Sequence, residues 1–161
     1  MQLISERMSK EIGRVPNRIS QRHEPIAIGI DFVEVAESHV LFFGRIKDFV
    51  LGELPESNEE LAEVGQNCEL DSWIRGVGAA RFGQLRAFGR LHDAHAEFHH
   101  YASEILGKIH EGSWIAAEHM RKSELSQSLR RVLITLTELN ESINKLALSE
   151  CQLKPIQNCA V

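Results

Sequence analysis

The feature that most constrains the fold of this chain is a long stretch without proline, from Glu56 to Lys154. Proline removes a backbone donor and clashes with the preceding helical turn, so a stretch without it permits long helices. The four prolines stand at positions 16, 25, 55 and 155. Within this stretch and just before it, apolar residues recur at intervals of three and four, which is the spacing of amphipathic helices.

Three such stripes predict three long helices, at about 32–50, at about 85–109 and within 113–148, where the stripe occupies the second half. Their members are Phe32, Ala36, His39, Phe43, Ile46 and Val50; Leu85, Phe88, His92, His95, His99, Ala102, Leu106 and Ile109; and Leu129, Val132, Leu136, Leu139, Ile143 and Leu146. A brief helix is expected around residues 70–77, and residues 53–67 are expected to form a loop with at most one turn around Leu61. The predicted fold class is all-α: an antiparallel four-helix-type bundle with one short extra helix.

The ends of the chain differ from its middle. Residues 1–29 contain two prolines and scattered charges, and are predicted to form a loosely ordered N-terminal arm. Residues 30–148 are predicted to form the helical bundle domain, and residues 149–161, interrupted by Pro155, a C-terminal tail.

Composition narrows the function classes. The chain has 161 residues, 43% of them hydrophobic and 25% charged, which suits one soluble globular domain. Its net charge of −5 and the lack of a basic block argue against nucleic acid or an anionic membrane as partner. No apolar run approaches the roughly 18 residues of a membrane span, and the N-terminus lacks a signal-peptide pattern, so a cytoplasmic location is expected.

The histidines carry the functional signal. His39, His95 and His99 fall on core-facing steps of two predicted helices, and the i, i+4 spacing of the last two lets both imidazoles reach one metal ion. A single histidine in an apolar stripe is more often a hydrogen-bonded core residue. Desolvating three titratable rings in one layer is unfavourable without a compensating charge, so a metal site in the bundle core is favoured.

A closed zinc site takes four nitrogen or sulfur donors, and Cys68 is a candidate for the fourth. Leu70 and Trp73 follow it and can anchor the segment on the bundle. As a lone cysteine, Cys68 would more often be a small buried hydrophobe. The three cysteines, at 68, 151 and 159, show no disulfide framework.

This order of residues resembles the chemoreceptor zinc-binding domain, a bacterial cytosolic module, over about residues 31–119, including Trp114. In that family a histidine of the first helix, a cysteine opening a C-x-[LF]-G-x-W stretch and an H-x-x-x-H pair bind zinc together. The resemblance implies that the zinc ligands here are His39, Cys68, His95 and His99. It also implies a homodimer with a regulatory role and no catalysis, reporting to a chemoreceptor or a cyclic-di-GMP signalling protein.

Two residues depart from the family pattern. Asp71 stands where the family has glycine, which could alter the turn geometry or place a carboxylate near the metal. His92 lies one turn before His95, and we interpret it as a neighbour of the site rather than a ligand. His100 is expected in solvent, and His23, His110 and His119 are given no role.

Other readings stay open at this point. One is a redox sensor, in which hypochlorous acid oxidises the zinc-bound thiolate of Cys68. Another is a metal-free helical adaptor with packed histidines. An enzyme is disfavoured because the stretch from His95 to His99 carries its glutamate at Glu97, one place too late for the H-E-x-x-H motif of zinc hydrolases.

Overall fold

The computed structural model describes residues 28–153. The predicted arm, apart from residues 28 and 29, and the end of the predicted tail, with Cys159, therefore lie outside the described residues. The helices are α1 (Phe32–Val50), α2 (Asn58–Gln66), α3 (Glu69–Trp73), α4 (Ala79–Phe82), α5 (Arg86–His110), α6 (Trp114–Met120) and α7 (Ser126–Leu153). The chain kinks at Gly76 between α3 and α4, and a π-helical turn at Arg121–Leu125 joins α6 to α7. No strand occurs between residues 28 and 153, and the predicted all-α class is confirmed.

Helix α1 begins and ends where its sequence predicts. The Asp31 carboxylate accepts hydrogen bonds from the backbone N–H groups of Val33 and Glu34, at 2.8 and 3.3 Å, and so caps the first turn. Gly52 follows the last turn with a φ of 72°, a left-handed conformation that favours glycine. The buried face is rotated slightly from the predicted stripe, and consists of Val35, His39, Phe42, Ile46 and Val50.

The loop prediction for residues 53–67 was wrong for its second half, where α2 forms. The Ser57 hydroxyl accepts from the Glu60 N–H while the Glu60 carboxylate accepts from the Ser57 N–H, a capping box that starts the helix. Leu61 is its one buried residue. A single buried position leaves no stripe to detect, so the helix depends on its cap and on packing against α1 and α5 rather than on periodicity.

Contacts between side chains set the helix directions. The ring of His39 lies 5.3 Å from that of His95, and the ring of Phe42 lies 6.2 Å from that of Phe98, so α1 and α5 run parallel. The Asn58 amide donates to the Leu106 carbonyl, and Gly65 lies near His99, so α2 runs antiparallel to α5.

The last long helix closes the bundle. Ion pairs Arg90–Glu138 and Arg131–Glu97 make α7 antiparallel to α5. The order up, down, up, down is the predicted antiparallel bundle, with α2 to α4 filling the second position. Helix α7 continues to Leu153, beyond the boundary at 148 that the sequence predicts. No helix among the described residues combines the length and the apolar character that a bilayer span requires.

Trp73 anchors the segment that carries Cys68. Its indole N–H donates to the Ile28 carbonyl at 2.9 Å, and its ring packs edge-on against Phe32 at 5.6 Å. A Cβ on Gly78 would lie 2.6 Å from the Trp73 ring and 2.8 Å from its carbonyl oxygen, so only glycine fits there. The C-terminal end of α3 is therefore held at a fixed place beside α1.

The buried leucine nearest the histidines tests this packing. Leu91 is fully buried one turn before His95, whereas Leu148 of α7 is 67% exposed. We expect Leu91→Ala to lower the free energy of unfolding by about 2–5 kcal/mol, because it leaves a cavity. The matched Leu148→Ala variant should change it by less than about 0.5 kcal/mol. Urea denaturation measures both, and equal effects would contradict this description of the core.

A buried charge joins α6 to α1. The Arg121 guanidinium is bonded through Nε and Nη2 to the Glu118 carboxylate, at 2.7 and 2.9 Å, and lies over the Phe43 ring. Its hydrogen bonds, together with that of Lys122, lower the pKa of Glu118 to about 2. Removing the carboxylate would leave a cation with 8% exposure unpaired.

This pair gives the protein an acid-dependent stability. The folded pKa of Glu118 lies below its unfolded value of 4.5, so the stabilisation is complete above pH 4.5 and is lost as the pH falls towards 2. At pH 7 we expect Glu118→Gln to be less stable than the wild type, and the difference to shrink between pH 4.5 and 2.5. Urea denaturation at several pH values measures this difference, and a constant gap would refute the assignment.

Candidate metal centre

Four side chains, from α1, α5 and the residue that precedes α3, converge in the core of the bundle. His39 comes from α1, Cys68 immediately precedes α3, and His95 and His99 lie one turn apart on α5. His39 and His95 are buried, with exposures of 3% and 4%, while Cys68 and His99 are half-buried. The structure thus brings together all four residues that the sequence singled out.

The donor atoms of these four residues lie within 4.8 Å of one another. Cys68 Sγ is 3.2 Å from His95 Nε2 and 3.7 Å from His39 Nε2. The ring centres of His95 and His99 are 4.5 Å apart, and that of His39 lies 5.3 and 5.7 Å from them. We call this group the His3Cys cluster.

One backbone contact orients His39 within the cluster. Its Nδ1 donates to the Val35 carbonyl, one turn earlier on α1, at 2.7 Å. With the proton held on Nδ1, the lone pair is on Nε2, the atom that faces Cys68. This is how metal-binding histidines are usually held in place, through the ring nitrogen that does not touch the metal.

Burial keeps the imidazoles neutral. It is the main cause that lowers the pKa of His95 to about 3 and that of His99 to about 4, with repulsion between the rings adding to the effect. Burial also lowers the pKa of His39, opposed by the hydrogen bond to Val35. At neutral pH all three rings therefore keep a lone pair available for a metal.

The pKa of the Cys68 thiol is shifted in the opposite direction. Burial raises the pKa of Cys68, partly offset by the backbone N–H groups of Leu70 and Asp71 at the start of α3. A divalent cation in the cluster would stabilise the thiolate instead, since coordination deprotonates a thiol. Among the described residues, the side-chain charges that act on the thiol are those of Asp71 and Glu69, which are negative and raise its pKa further.

The cluster fits zinc on two structural grounds. Bonds of about 2.0–2.1 Å to nitrogen and about 2.3 Å to sulfur in a tetrahedron separate the donors by about 3.3–3.6 Å. The two measured sulfur–nitrogen distances bracket that range. In addition, His99 Nε2 is buried without a hydrogen-bond partner among the described residues, a cost that a ligand bond would remove.

A cavity of about 590 Å³, partly open to solvent, reaches the cluster from one side. Its wall includes Cys68, His95 and His99 together with Asp71, Arg75 and His92. The Asp71 carboxylate pairs with Arg75 at 2.9 Å and lies near enough to His99 to oppose the lowering of its pKa. Asp71, which stands where the family has glycine, therefore places a carboxylate beside the cluster. This is one of the two consequences that the sequence led us to expect of this residue.

The remaining histidines in the described range lie away from the cluster or at its edge. His92 lines the cavity, but its side chain is 58% exposed and bonds to Asp93 at 3.1 Å. His100 is exposed near Glu104, and His110 and His119 are also exposed. His23 and the side chain of Cys151 lie outside the described residues. Trp114 packs against Phe49, after the end of α5 and away from the cluster.

Sequence reasoning missed the groups that shape the cluster. Phe98 is fully buried against the His39 and His99 rings, at 5.5 and 5.3 Å, and the Phe42 ring stacks on His99 at 6.0 Å. A Cβ on Gly65 would lie 3.0 Å from Phe42, so α2 approaches closely here. The Val35 carbonyl was detectable from its i, i+4 relation to His39; the aromatic packing was not, because it spans separate helices.

Comparison with known proteins agrees with this geometry. The model of the family described as the chemoreceptor zinc-binding domain matches residues 39–106. Neither a curated protein nor a solved structure gives a match to the chain. The matched segment contains all four residues of the His3Cys cluster. Over residues 39–106 the chain is therefore similar to the chemoreceptor zinc-binding domain family.

Proposed function

We propose that this protein is a zinc-binding sensor module, with His39, Cys68, His95 and His99 as the four ligands. The observation that carries the proposal is that four donor atoms, from α1, α5 and the residue before α3, converge within 4.8 Å in the core. Packing alone does not require this, because three neutral imidazoles and a thiol bury polar atoms at a cost. A cation offsets that cost.

The arrangement explains how metal binding would reach the rest of the fold. Bound zinc would supply one cation that joins α1, the start of α3 and α5. His39 holds its lone pair inward through the Val35 carbonyl, and Trp73 holds the far end of α3 against Ile28. Without the cation, the Cys68 segment keeps only its Leu70 and Trp73 anchors, so it gains freedom to move.

The output of the sensor passes to another protein chain. Four protein donors complete a tetrahedral zinc site and leave no open position for substrate, which favours regulation over catalysis. We propose a homodimer that acts in the cytoplasm and reports to a chemoreceptor or cyclic-di-GMP signalling protein. The support is the family match and the free thiol of Cys68, which suits a reducing compartment.

Ligand substitutions test the proposal. The untagged protein, purified without added metal, should contain about one zinc per chain by elemental analysis. Cys68→Ala and His95→Ala should each weaken zinc binding by about a hundredfold or more, because each removes one of four donors. Much of the helix content should remain, since the apolar faces are untouched.

His92→Ala is the matched control, since His92 lines the same cavity one turn from His95 but is mostly exposed. It should bind zinc within about threefold of the wild type. No zinc uptake by the wild-type protein on titration would overturn the proposal and favour the metal-free adaptor. Equal affinities in all three variants would overturn the ligand assignment.

A second candidate function is oxidant sensing through the same cysteine. It is favoured by one observation: Cys68 is half-buried and lines the cavity that is partly open to solvent. In the reaction, the thiolate sulfur takes the oxygen of hypochlorous acid and forms a sulfenic acid, while the chlorine leaves as chloride. The sulfur is oxidised by two electrons and the oxidant is reduced by two.

Stoichiometric oxidation of the zinc-loaded protein tests this function. We expect about one zinc to be released per oxidised Cys68, because a sulfenic acid is a poorer ligand than a thiolate. A zinc-sensitive dye measures release, and mass spectrometry of the peptide containing Cys68 measures oxidation. Retention of the metal after complete oxidation of Cys68 would exclude oxidant sensing and leave zinc sensing intact.

A further inference from the structure

Helix α1 has a second stripe, on the face opposite the His3Cys cluster. Its members step by four, three, four, three and four residues: Val33, Glu37, Val40, Gly44, Lys47 and Leu51. Three members are apolar and exposed, Val33 at 67%, Val40 at 47% and Leu51 at 47%. The two charged members, Glu37 and Lys47, are also exposed. This is the repeat of a coiled-coil seam, and we call it the outer stripe.

Gly44, at the middle of the outer stripe, has no contact among the described residues that explains a glycine there. It lies in the interior of a 19-residue helix, where glycine is less favourable than alanine. A Cβ built on it would meet nothing within 4 Å, so no contact inside the described protein requires its small size. A glycine on an exposed helical face does allow another helix to approach closely.

The outer stripe complements itself when read in the opposite direction. If a second α1 lies antiparallel, crossing near residue 42, Val33 meets Leu51 of the second copy and Val40 meets Gly44. Glu37 meets Lys47 in the same register, so both charges find opposite partners. A twofold axis repeats each of these contacts, as in symmetric dimers.

The two charges are available for such pairing. Among the described residues Glu37 has no ionic partner, and Lys47 has only its exposed neighbour Asp48, at 3.5 Å. A second copy would give each a better-placed partner at the flank of an apolar seam. A parallel arrangement would instead place Glu37 beside Glu37 and Lys47 beside Lys47, which is repulsive.

We propose that the outer stripe of α1 is the dimer interface, where it packs antiparallel against α1 of a second copy. The seam joins Val33 to Leu51, Val40 to Gly44 and Glu37 to Lys47 across the twofold axis. This inference rests on the dimer in the function proposed above and names the surface that forms it.

Charge reversal tests both the surface and its register. Sedimentation velocity on the full chain should show a dimer for the wild type. Glu37→Lys and Lys47→Glu should each raise the dimer dissociation constant about tenfold or more, because each places like charges opposite one another. The double variant, Glu37→Lys with Lys47→Glu, should restore the dimer, since 37 and 47 again carry opposite charges.

Gly44→Leu provides a second test, since it fills the space that α1 of the second copy needs, while its Cβ would meet no described residue within 4 Å. It should be monomeric with unchanged helix content. Ile134→Lys is the control, because Ile134 is a similarly exposed apolar residue on α7, and it should remain dimeric.

Three results would overturn the proposal. They are a monomeric wild type, a dimer that survives Gly44→Leu, and a double variant that stays as weak as the single ones. If a monomeric wild type dimerises once residues 1–27 are removed, the N-terminal segment occupies the face instead. Zinc content is measured in every variant, so that failure of the metal site and failure of the interface are told apart.

Discussion

The parallel contact between α1 and α5 is the constraint on which the rest of the structure depends. It brings the ring centre of His39 to within 5.3 Å of the ring centre of His95. It also packs the ring of Phe98 against the ring of His39. The three neutral imidazoles in this contact have no positive charge of their own at neutral pH, since burial lowers their pKa values. The neutral imidazoles of the cluster therefore hold their lone pairs in a largely buried site, where they are available to a cation.

Helix α1 carries two surfaces with different tasks. Its inner face presents His39 to the cluster, and its outer face carries the stripe around Gly44. Because a helix of this length is stiff, a change in the position of His39 moves both faces together. In the function proposed here, this stiffness is what connects occupancy of the cluster to contacts between two chains.

Prediction from sequence succeeded where one helix contains the information. The spacing of His95 and His99 places both on one side of α5, whatever packs against it.

The prediction failed where burial depends on neighbours. Leu146 continues the stripe of α7 yet is 43% exposed, because no described helix covers that level of the bundle. His92 has the same spacing from His95 as a core residue would, yet it faces solvent. Helix α2 was missed because its stability comes from a capping box and from contacts with Phe42 and Leu106.

The sequence by itself determined that the chain is helical, where α1 and α5 begin and end, and which histidines and cysteine share apolar surroundings. Those properties follow from local backbone preferences and from periodicity along one element. Only the tertiary structure decided that α1 lies beside α5 in parallel, that Cys68 reaches both His39 and His95, and that Asp71 stands at the edge of the cavity. These arrangements depend on residues 27 or more positions apart, whose approach is set by how whole helix faces pack and not by any local pattern.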